Sequence, residues 1–264
     1  MSRSWLDRLL PAAWQPRVMM YLHPQHISWS RQGAGFKRTQ LDHGRLNIEH
    51  EGRDLAPLLA RLPQAMQEAG VARTRLEVVL SSDFMRYAIV PNPDGATNRE
   101  ELGMLCRHAF QRVHGDIVTE WDIQLSLAGL GGNGLASAVD QALLTALMQE
   151  VAEVKGKLVS VQPALAHAFQ YAAKSSADGI FALRESGRLS LLAWKNHSWV
   201  AVRLQPITDD WQSALEAGVR SLRLQLDMAD ATPLQVCELA GDAMQPRMMS
   251  WQPQAHWTMA GAGA

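Results

Sequence analysis

A glycine-rich run, Gly129 to Gly134, has the composition of a loop that binds phosphate through its backbone. It follows a segment with the alternating pattern of a strand, as such loops do. The next residues, LASAV, predict another extended segment, so the helix N-terminus that would hold the anion is missing. The run therefore predicts a hairpin turn between two strands.

His23 and His26 have the spacing of an H-x-x-H metal motif. Pro24 prevents the helix that would bring both rings to one side, and no acidic residue or cysteine lies within a few positions. We therefore predict no metal site at these histidines.

Ser81, Ser82 and Asp83, together with His108 or His114, supply the residue types of a hydrolase triad. The G-x-S-x-G turn of such enzymes does not surround the serines. Serines at the end of a predicted strand are typical of turns, where their hydroxyls bond the backbone. We assign no catalytic residue to this segment.

The composition is that of a folded protein without an extended polyanion as partner. The chain has 264 residues, of which 47% are hydrophobic, and a formal net charge of -1 with no basic run. A nucleic-acid partner is therefore excluded from our expectations. Cys106 and Cys237 each lie in an apolar segment, which predicts buried, reduced thiols and favours a cytosolic protein.

The N-terminus and the hydropathy pattern predict neither a membrane span nor export. No stretch approaches the ~18 consecutive apolar residues of a transmembrane helix. Asp7 and Arg8 interrupt the first apolar residues, unlike the core of a signal peptide.

The elements of the first part of the chain follow from hydrophobic spacing and turn residues. Short extended segments over 18–50 predict a strand meander, a helix follows Asp54 and ends near Gly70, and residues 75–80 predict a central strand. A strand near residue 85 precedes a helix with a capping box at Thr97 and a buried stripe of Leu102, Leu105, Ala109 and Val113. Two further strands, a helix capped by Asp140, a strand over 157–162 and a helix from Pro163 to about Lys174 complete this part.

The same order then recurs. Three strands over 180–205 are followed by a helix from about Thr208 to Met228 and an apolar strand from Leu234. Corresponding elements lie about 160 residues apart, which predicts a structural duplication without sequence identity between the halves.

This duplicated pattern resembles the actin-like ATPase superfamily, and within it the PilM, MshI and GspL cytoplasmic-domain group of type IV pilus and type II secretion platforms. The segments that carry the resemblance are Val78–Pro91, Leu135–Phe169 and the run LQVCELAGDA near the end. It implies an α/β fold of two actin-like (RNase H-like) halves, with mixed sheets and flanking helices.

The resemblance also divides the chain. We expect an N-terminal amphipathic segment (1–17), a first half (18–175) with an inserted subdomain (about 85–127), a second half (179–250) and a C-terminal tail (251–264). Only six residues separate the predicted strand at Leu204 from the helix at Trp211, so no lid subdomain is expected in the second half.

At the two phosphate loops the sequence departs from the superfamily. The resemblance places Tyr21 where an Asp belongs and His23 where a Gly belongs, with Pro24 removing a backbone donor, and places Ala182 and Arg184 at the corresponding positions of the second half. We therefore predict a pseudo-ATPase without catalytic residues, metal or cofactor.

The function that the resemblance implies is a non-catalytic cytoplasmic adaptor, peripheral at the inner membrane. Its partner would be a bitopic membrane protein whose short cytoplasmic peptide lies in a groove between the meander (18–50) and the inserted segment. Whether the protein also forms a homo-oligomer is left open by the resemblance. Two alternatives remain: an actin-like ATPase with a rebuilt nucleotide site, and a module that binds the membrane surface directly.

The N-terminal segment carries a candidate docking face. Its large apolar side chains fall on one side of a short predicted helix that Ser4 caps and Pro11 stops, and the charged residues fall on the other. The segment predicts packing on the protein's own core, docking to a partner or contact with the membrane interface. Its candidate residues are Trp5, Leu6, Leu9 and Leu10 on that side of the helix, and Trp14 beyond Pro11.

Overall fold

The computed structural model describes residues 16–33, 40–49, 55–91, 98–127, 132–172, 176–207, 210–239 and 246–249. The candidate docking residues Trp5, Leu6, Leu9, Leu10 and Trp14 lie outside these ranges, as do the residues after 249. Among the described helices, none is long and apolar enough to cross a membrane.

The first half is built on a five-stranded mixed sheet with the order β3-β2-β1-β4-β8. Strand β1 pairs antiparallel with β2 and parallel with β4, and β4 pairs parallel with β8. Its elements are β1 (Arg17–His23), β2 (His26–Gln32), β3 (Gln40–Asn47), α1 (Ala56–Glu68), β4 (Arg75–Leu80), α3 (Gln141–Glu153), β8 (Lys157–Pro163) and α4 (Ala164–Phe169). Leu58, Leu62, Leu143 and Leu147 of α1 and α3 pack against one face of this sheet.

The second half repeats the plan with a sheet of order β11-β10-β9-β12-β13. Its elements are β9 (Gly179–Glu185), β10 (Arg188–Lys195), β11 (Ser198–Pro206), α5 (Trp211–Leu226), β12 (Leu234–Glu238) and β13 (Arg247–Met249). Strands β4 and β12 occupy equivalent positions, each parallel to the first strand of its half, which confirms the predicted duplication. Only the fifth strands differ, because β8 runs parallel to its neighbour and β13 antiparallel.

A three-stranded antiparallel sheet of order β5-β7-β6 is inserted in the first half. It comprises β5 (Arg86–Val90), β6 (Trp121–Leu127) and β7 (Gly134–Asp140), and it is covered by α2 (Arg99–His114) and a 3-10 helix (Gly115–Glu120). The sheet thus extends past the predicted limit near residue 127, because β7 pairs with both other strands. The pairing of β6 with β7 also confirms a hairpin across the glycine-rich run.

The two large sheets face each other through an apolar layer. The first sheet contributes Met19, Tyr21 and Val79 to this layer, and the second contributes Phe181, Leu183 and Leu192. Leu165 of α4 belongs to the same layer. Cys237 is buried in it as a free thiol, and Cys106 is buried under the small sheet, as predicted. Each half therefore buries the helix-covered face of its sheet in its own core and the opposite face against the other half.

The caps and the buried faces of helices were predicted less well than the order of the elements. The cap of α2 is Asn98, whose side chain accepts from Glu101 N at 2.8 Å, while Thr97 lies outside the described residues. Val113 is 75% exposed, because the face of α2 that carries Cys106 and Phe110 fills the core of the small sheet instead. Asp140 is the N-cap of α3 but makes no side-chain capping bond.

Two helix ends were also misplaced. Helix α4 ends at Phe169, well before the predicted end near Lys174, which lies outside the described residues. Helix α5 begins at Trp211, where the side chain of Asp210 accepts from Ser213 N, and ends at Leu226 rather than Met228. The predicted end of α1 near Gly70 is confirmed, since this glycine has a left-handed φ of 65°.

Candidate functional site between the two halves

The β1–β2 and β9–β10 hairpins meet where the resemblance places the phosphate loops. Each hairpin has a two-residue turn: His23 pairs with His26 in the first half, and Glu185 pairs with Arg188 in the second. By this register Tyr21 corresponds to Leu183 and His23 to Glu185. Ala182 and Arg184, which the resemblance placed at these positions, each lie one residue before the equivalent position. Because strand residues alternate between faces, that single step exchanges the cleft face for the opposite face.

Ala182 and Arg184 indeed lie on the side of the second sheet that faces α5. Ala182 is buried in the core beneath that helix. Arg184 pairs with Glu238 at 2.8 Å, and its guanidinium lies 4.7 Å from the centre of the Trp211 ring. The second turn therefore has an acidic residue at the position equivalent to His23, Glu185, and a glycine within the turn, Gly187.

Glu185 does not face an open cleft, however. It is 2% exposed, and its Oε1 accepts hydrogen bonds from the Tyr21 hydroxyl at 2.8 Å and from Ser82 N at 3.1 Å. Burial raises the pKa of this carboxyl, and the hydrogen bonds from Ser82 and Tyr21 oppose the shift. The pKa of Tyr21 is raised as well, first by burial and then by the nearby Glu185. The one acidic group at the second loop is thus bound to the first half.

Asp83 and Arg188 form a second link across the cleft. Arg188 contacts Asp83 Oδ1 through Nε at 2.7 Å and through Nη2 at 2.5 Å. The two side chains are only 11% and 14% exposed. Close by, the Ser190 hydroxyl donates to the Ser82 hydroxyl at 3.0 Å. The predicted turn serines therefore contact the other half instead of a substrate.

His23 also contacts the second half. Its Nδ1 accepts from Gln25 N at 3.2 Å, so the ring proton is on Nε2, which donates to the Ser186 carbonyl at 3.3 Å. Asp83 Oδ2 lies 3.6 Å from the same nitrogen. Burial lowers the pKa of His23, and the nearby Asp83 only partly opposes this. His23 is therefore a neutral hydrogen-bonding group that uses the Gln25 amide a phosphate would need.

His26 stacks on His23 with ring centres 4.6 Å apart. It is 1% exposed, and neither of its ring nitrogens has a hydrogen-bond partner. Burial, and then the neighbouring His23 and Arg45, lower the pKa of His26 to about 3. Within the described ranges, no three His, Cys, Asp or Glu residues are grouped so as to hold a metal ion.

A small polar cavity of about 240 Å³ remains beside these contacts, lined among others by Tyr21, His26, Arg45, Glu185 and Ser186. Ligand pockets for drug-sized molecules usually measure roughly 300–1,000 Å³. The space left between the loops is thus smaller than the usual pocket, and the turn residues that would cradle a phosphate already bind one another.

The residues of the hypothetical triad are not assembled. Ser81, Ser82 and Asp83 lie at the cleft, whereas His114 packs against Trp121 of the small sheet with ring centres 5.0 Å apart. In the part of the chain that the structure describes, no hydrogen bond joins these serines to His108 or His114.

A separate apolar groove of about 370 Å³ lies between the main sheet of the first half and the small sheet. Its walls include Leu80, Val139, Leu144, Met148, Leu158 and Val161. Strands β6 and β8, which border it, are edge strands of their sheets within the described residues. No residue of the meander lines it, so this groove differs from the predicted one between the meander and the insert, which stays a prediction. The small sheet instead stands beside β4, β8 and α3.

A larger cavity of about 540 Å³ continues from this groove and reaches the second half. Gln124, Ser137 and Pro163 line both spaces, and Phe169, Trp194 and Trp199 provide aromatic walls to the larger one. Asn133, at the end of the glycine-rich run, fixes the small sheet to β11 here. Its backbone N donates to Ser198 Oγ at 2.8 Å, and its side chain donates to the Trp199 carbonyl at 2.9 Å.

No protein-family model and no curated protein matches this chain. Among solved structures it is similar to the cytoplasmic domain of EpsL, an inner-membrane component of the type II secretion system of Vibrio cholerae. That similarity has a TM-score of 0.56 and 15% identity over 84% of this chain and 82% of that one. A protein of unknown function with an actin-like ATPase fold from Bacteroides thetaiotaomicron gives a TM-score of 0.57 and 10% identity, over 85% and 82%.

A chain of a PilM–PilN type IV pilus biogenesis complex is also similar, with a TM-score of 0.53 and 14% identity over 78% of this chain and 66% of that one. At these identities the similarity establishes the fold alone. The expected fold of two actin-like halves is thereby confirmed, as is the expected resemblance to PilM and to secretion-platform proteins of the EpsL kind.

Proposed function

We propose that this protein is a non-catalytic adaptor that links inner-membrane components of a type IV pilus or type II secretion assembly. One observation carries the proposal: at the hairpin turns the chain's own side chains bind one another across the two halves, while an apolar groove beside two edge strands stays open. The fold shared with EpsL and with the PilM–PilN complex supports this setting.

The partner we propose is a bitopic membrane protein whose cytoplasmic segment lies extended in the groove. An edge strand offers unpaired backbone N–H and C=O groups, and an extended peptide can pair with them while its alternate side chains enter apolar pockets. The walls from Leu144 and Met148 would receive such side chains. The adaptor would then be cytoplasmic and would reach the membrane only through this partner.

The groove is tested by one substitution and a matched control. Met148 of α3 lines the groove and is 54% exposed, and Met104 of α2 is 60% exposed and does not line it. The bitopic protein that copurifies with the chain from native membranes is identified, and its cytoplasmic segment is synthesised as a labelled peptide. Met148→Lys should weaken peptide binding at least about tenfold in fluorescence anisotropy, which corresponds to about 1.4 kcal/mol. Equal affinity of Met148→Lys, Met104→Lys and the natural protein would refute the groove.

The pseudo-ATPase proposal has its own test. A ligand at 100 times its dissociation constant stabilises the folded state by about 2.7 kcal/mol. We expect millimolar Mg-ATP to leave the melting temperature unchanged and ATP turnover to be undetectable. A shift of several degrees would favour the alternative of an ATPase with a rebuilt site.

A further inference from the structure

The contacts of the β9–β10 hairpin with β1 and with the segment after β4 form one cluster, which we call the interdomain lock and define as Tyr21, Ser82, Asp83, Glu185, Arg188 and Ser190. Every hydrogen bond described above within the lock joins a residue of the first half to one of the second. They are Tyr21 to Glu185, Ser82 to Glu185, Ser190 to Ser82, and Arg188 to Asp83.

We infer that the interdomain lock holds the two halves in one closed arrangement without any bound ligand. In two-domain proteins that close around a ligand, the ligand supplies the contacts that bridge the domains, and its loss permits hinge opening. Here side chains of the chain supply those contacts, at the position where the bridging phosphates would lie. Closure is therefore a property of the sequence and does not depend on a nucleotide.

Because the residues of the lock are largely buried, their contacts favour the closed arrangement of the two halves. Glu185 and the Asp83–Arg188 pair are nearly inaccessible to water. A charged group with one partner removed would stay buried and unpaired, which is unfavourable. Opening must therefore break the ion pair as well as the bonds to Glu185.

A second contact lies away from the lock. The bonds from Asn133 to Ser198 and Trp199 tie the small sheet to β11. Together with the lock, this contact adds a second set of hydrogen bonds between the halves to the apolar layer that joins their sheets, and the large cavity lies next to the Asn133 contact. Its walls come from both halves, since Leu135 is in the first and Trp194 in the second. The lock therefore also fixes the shape of this cavity.

The test compares two arginines of the second half. Arg188→Met breaks the ion pair across the cleft, and Arg184→Met breaks the pair with Glu238 inside the second half. Both remove one guanidinium from an arginine–carboxylate pair. Hydrogen exchange by mass spectrometry and small-angle X-ray scattering are measured on the full-length proteins at a temperature at which each is folded by circular dichroism.

With Arg188→Met, the amides of residues 80–83 and 185–188 should exchange about tenfold faster, and the radius of gyration should increase, while the exchange of β1 and of the rest of β9 stays unchanged. Arg184→Met should change neither quantity. Tyr21→Phe is a milder variant that should give a smaller increase in the same peptides, should Arg188→Met fail to fold. If the variants at Arg188 and Tyr21 leave these peptides and the scattering as in the Arg184→Met control, the lock does not hold the halves. Compaction of the natural protein by Mg-ATP would also overturn the inference.

Discussion

Replacing His26 by phenylalanine should make the protein more resistant to acid. The His26 side chain is buried, neither ring nitrogen has a partner, and its pKa is lowered to about 3. Phenylalanine keeps a flat ring against His23 and removes two buried polar atoms that have no hydrogen bond. The variant therefore isolates the effect of protonation from that of packing.

The sign follows from proton linkage. The folded-state pKa lies below the ordinary value of 6.5, so the folded protein binds fewer protons than the unfolded chain. The contribution of His26 to the unfolding free energy is thus complete above pH 6.5 and is lost as the pH falls towards 3. Between the unfolded-state pKa of 6.5 and pH 5 the unfolding free energy falls by about 1.4 kcal/mol for each pH unit, so the loss at pH 5 is about 2 kcal/mol.

Urea denaturation at pH 7.5 and at pH 5.0 measures this difference. The natural protein should lose about 2 kcal/mol more than His26→Phe between these two values. His43→Phe is the control, because His43 lies exposed on β3 of the same sheet, and it should follow the natural protein. Equal losses in the natural protein and in His26→Phe would show that His26 is not kept neutral by the fold.

Three further outcomes are expected. Because burial raises the pKa of Glu185, the stability that Glu185 contributes is present at low pH and is lost as the pH rises through the folded-state pKa. In urea melts, the stability of Glu185→Gln relative to the natural protein should therefore increase between pH 5 and pH 8. A stability difference that stays constant with pH would contradict the assignment. A Cβ at Gly179 would overlap the Trp194 ring, whereas one at Gly103 meets nothing within 4 Å, so Gly179→Ala should lower stability by about 1–3 kcal/mol and Gly103→Ala should raise it by about 0.5–1 kcal/mol in the same assay. Deletion of residues 1–14 should leave the melting temperature nearly unchanged and weaken recruitment to the membrane fraction, and a melting temperature several degrees lower with normal recruitment would show that this segment packs on the core.

The sequence predicted the order of the elements because each signal for that order is local. The meander, the leucine stripe of α1 before Gly70 and the three strands over 180–205 can be read within windows of a few residues. The duplication followed from comparing these elements, and the paired sheets confirm it. The buried face of α2 was predicted less well, since the small sheet packs on Cys106 and Phe110 and leaves Val113 exposed, which the spacing within the helix does not show.

The site could not be predicted, because its contacts join residues far apart in the chain. Tyr21 and Glu185 are 164 positions apart, and Ser82 and Glu185 are 103 apart. An acidic residue just before a Ser-Gly turn has the pattern of an exposed hairpin end. Only the register of β9 against β10 shows that Glu185, and not Arg184, is the residue equivalent to His23. An error of one residue in a strand is enough to reverse that assignment.

Tyr21 and His23 are relevant both to the nucleotide site and to the contact between the halves. The sequence suggested a lost nucleotide site, because Tyr21 and His23 stand where the superfamily resemblance places Asp and Gly. The structure adds that these same side chains bind the second half, the first through its hydroxyl to Glu185 and the second through Nε2 to the Ser186 carbonyl. Smaller residues at these positions would leave Glu185 with fewer donors and the cleft more open. In this chain, the two residues that the resemblance places at the first phosphate loop also join the halves.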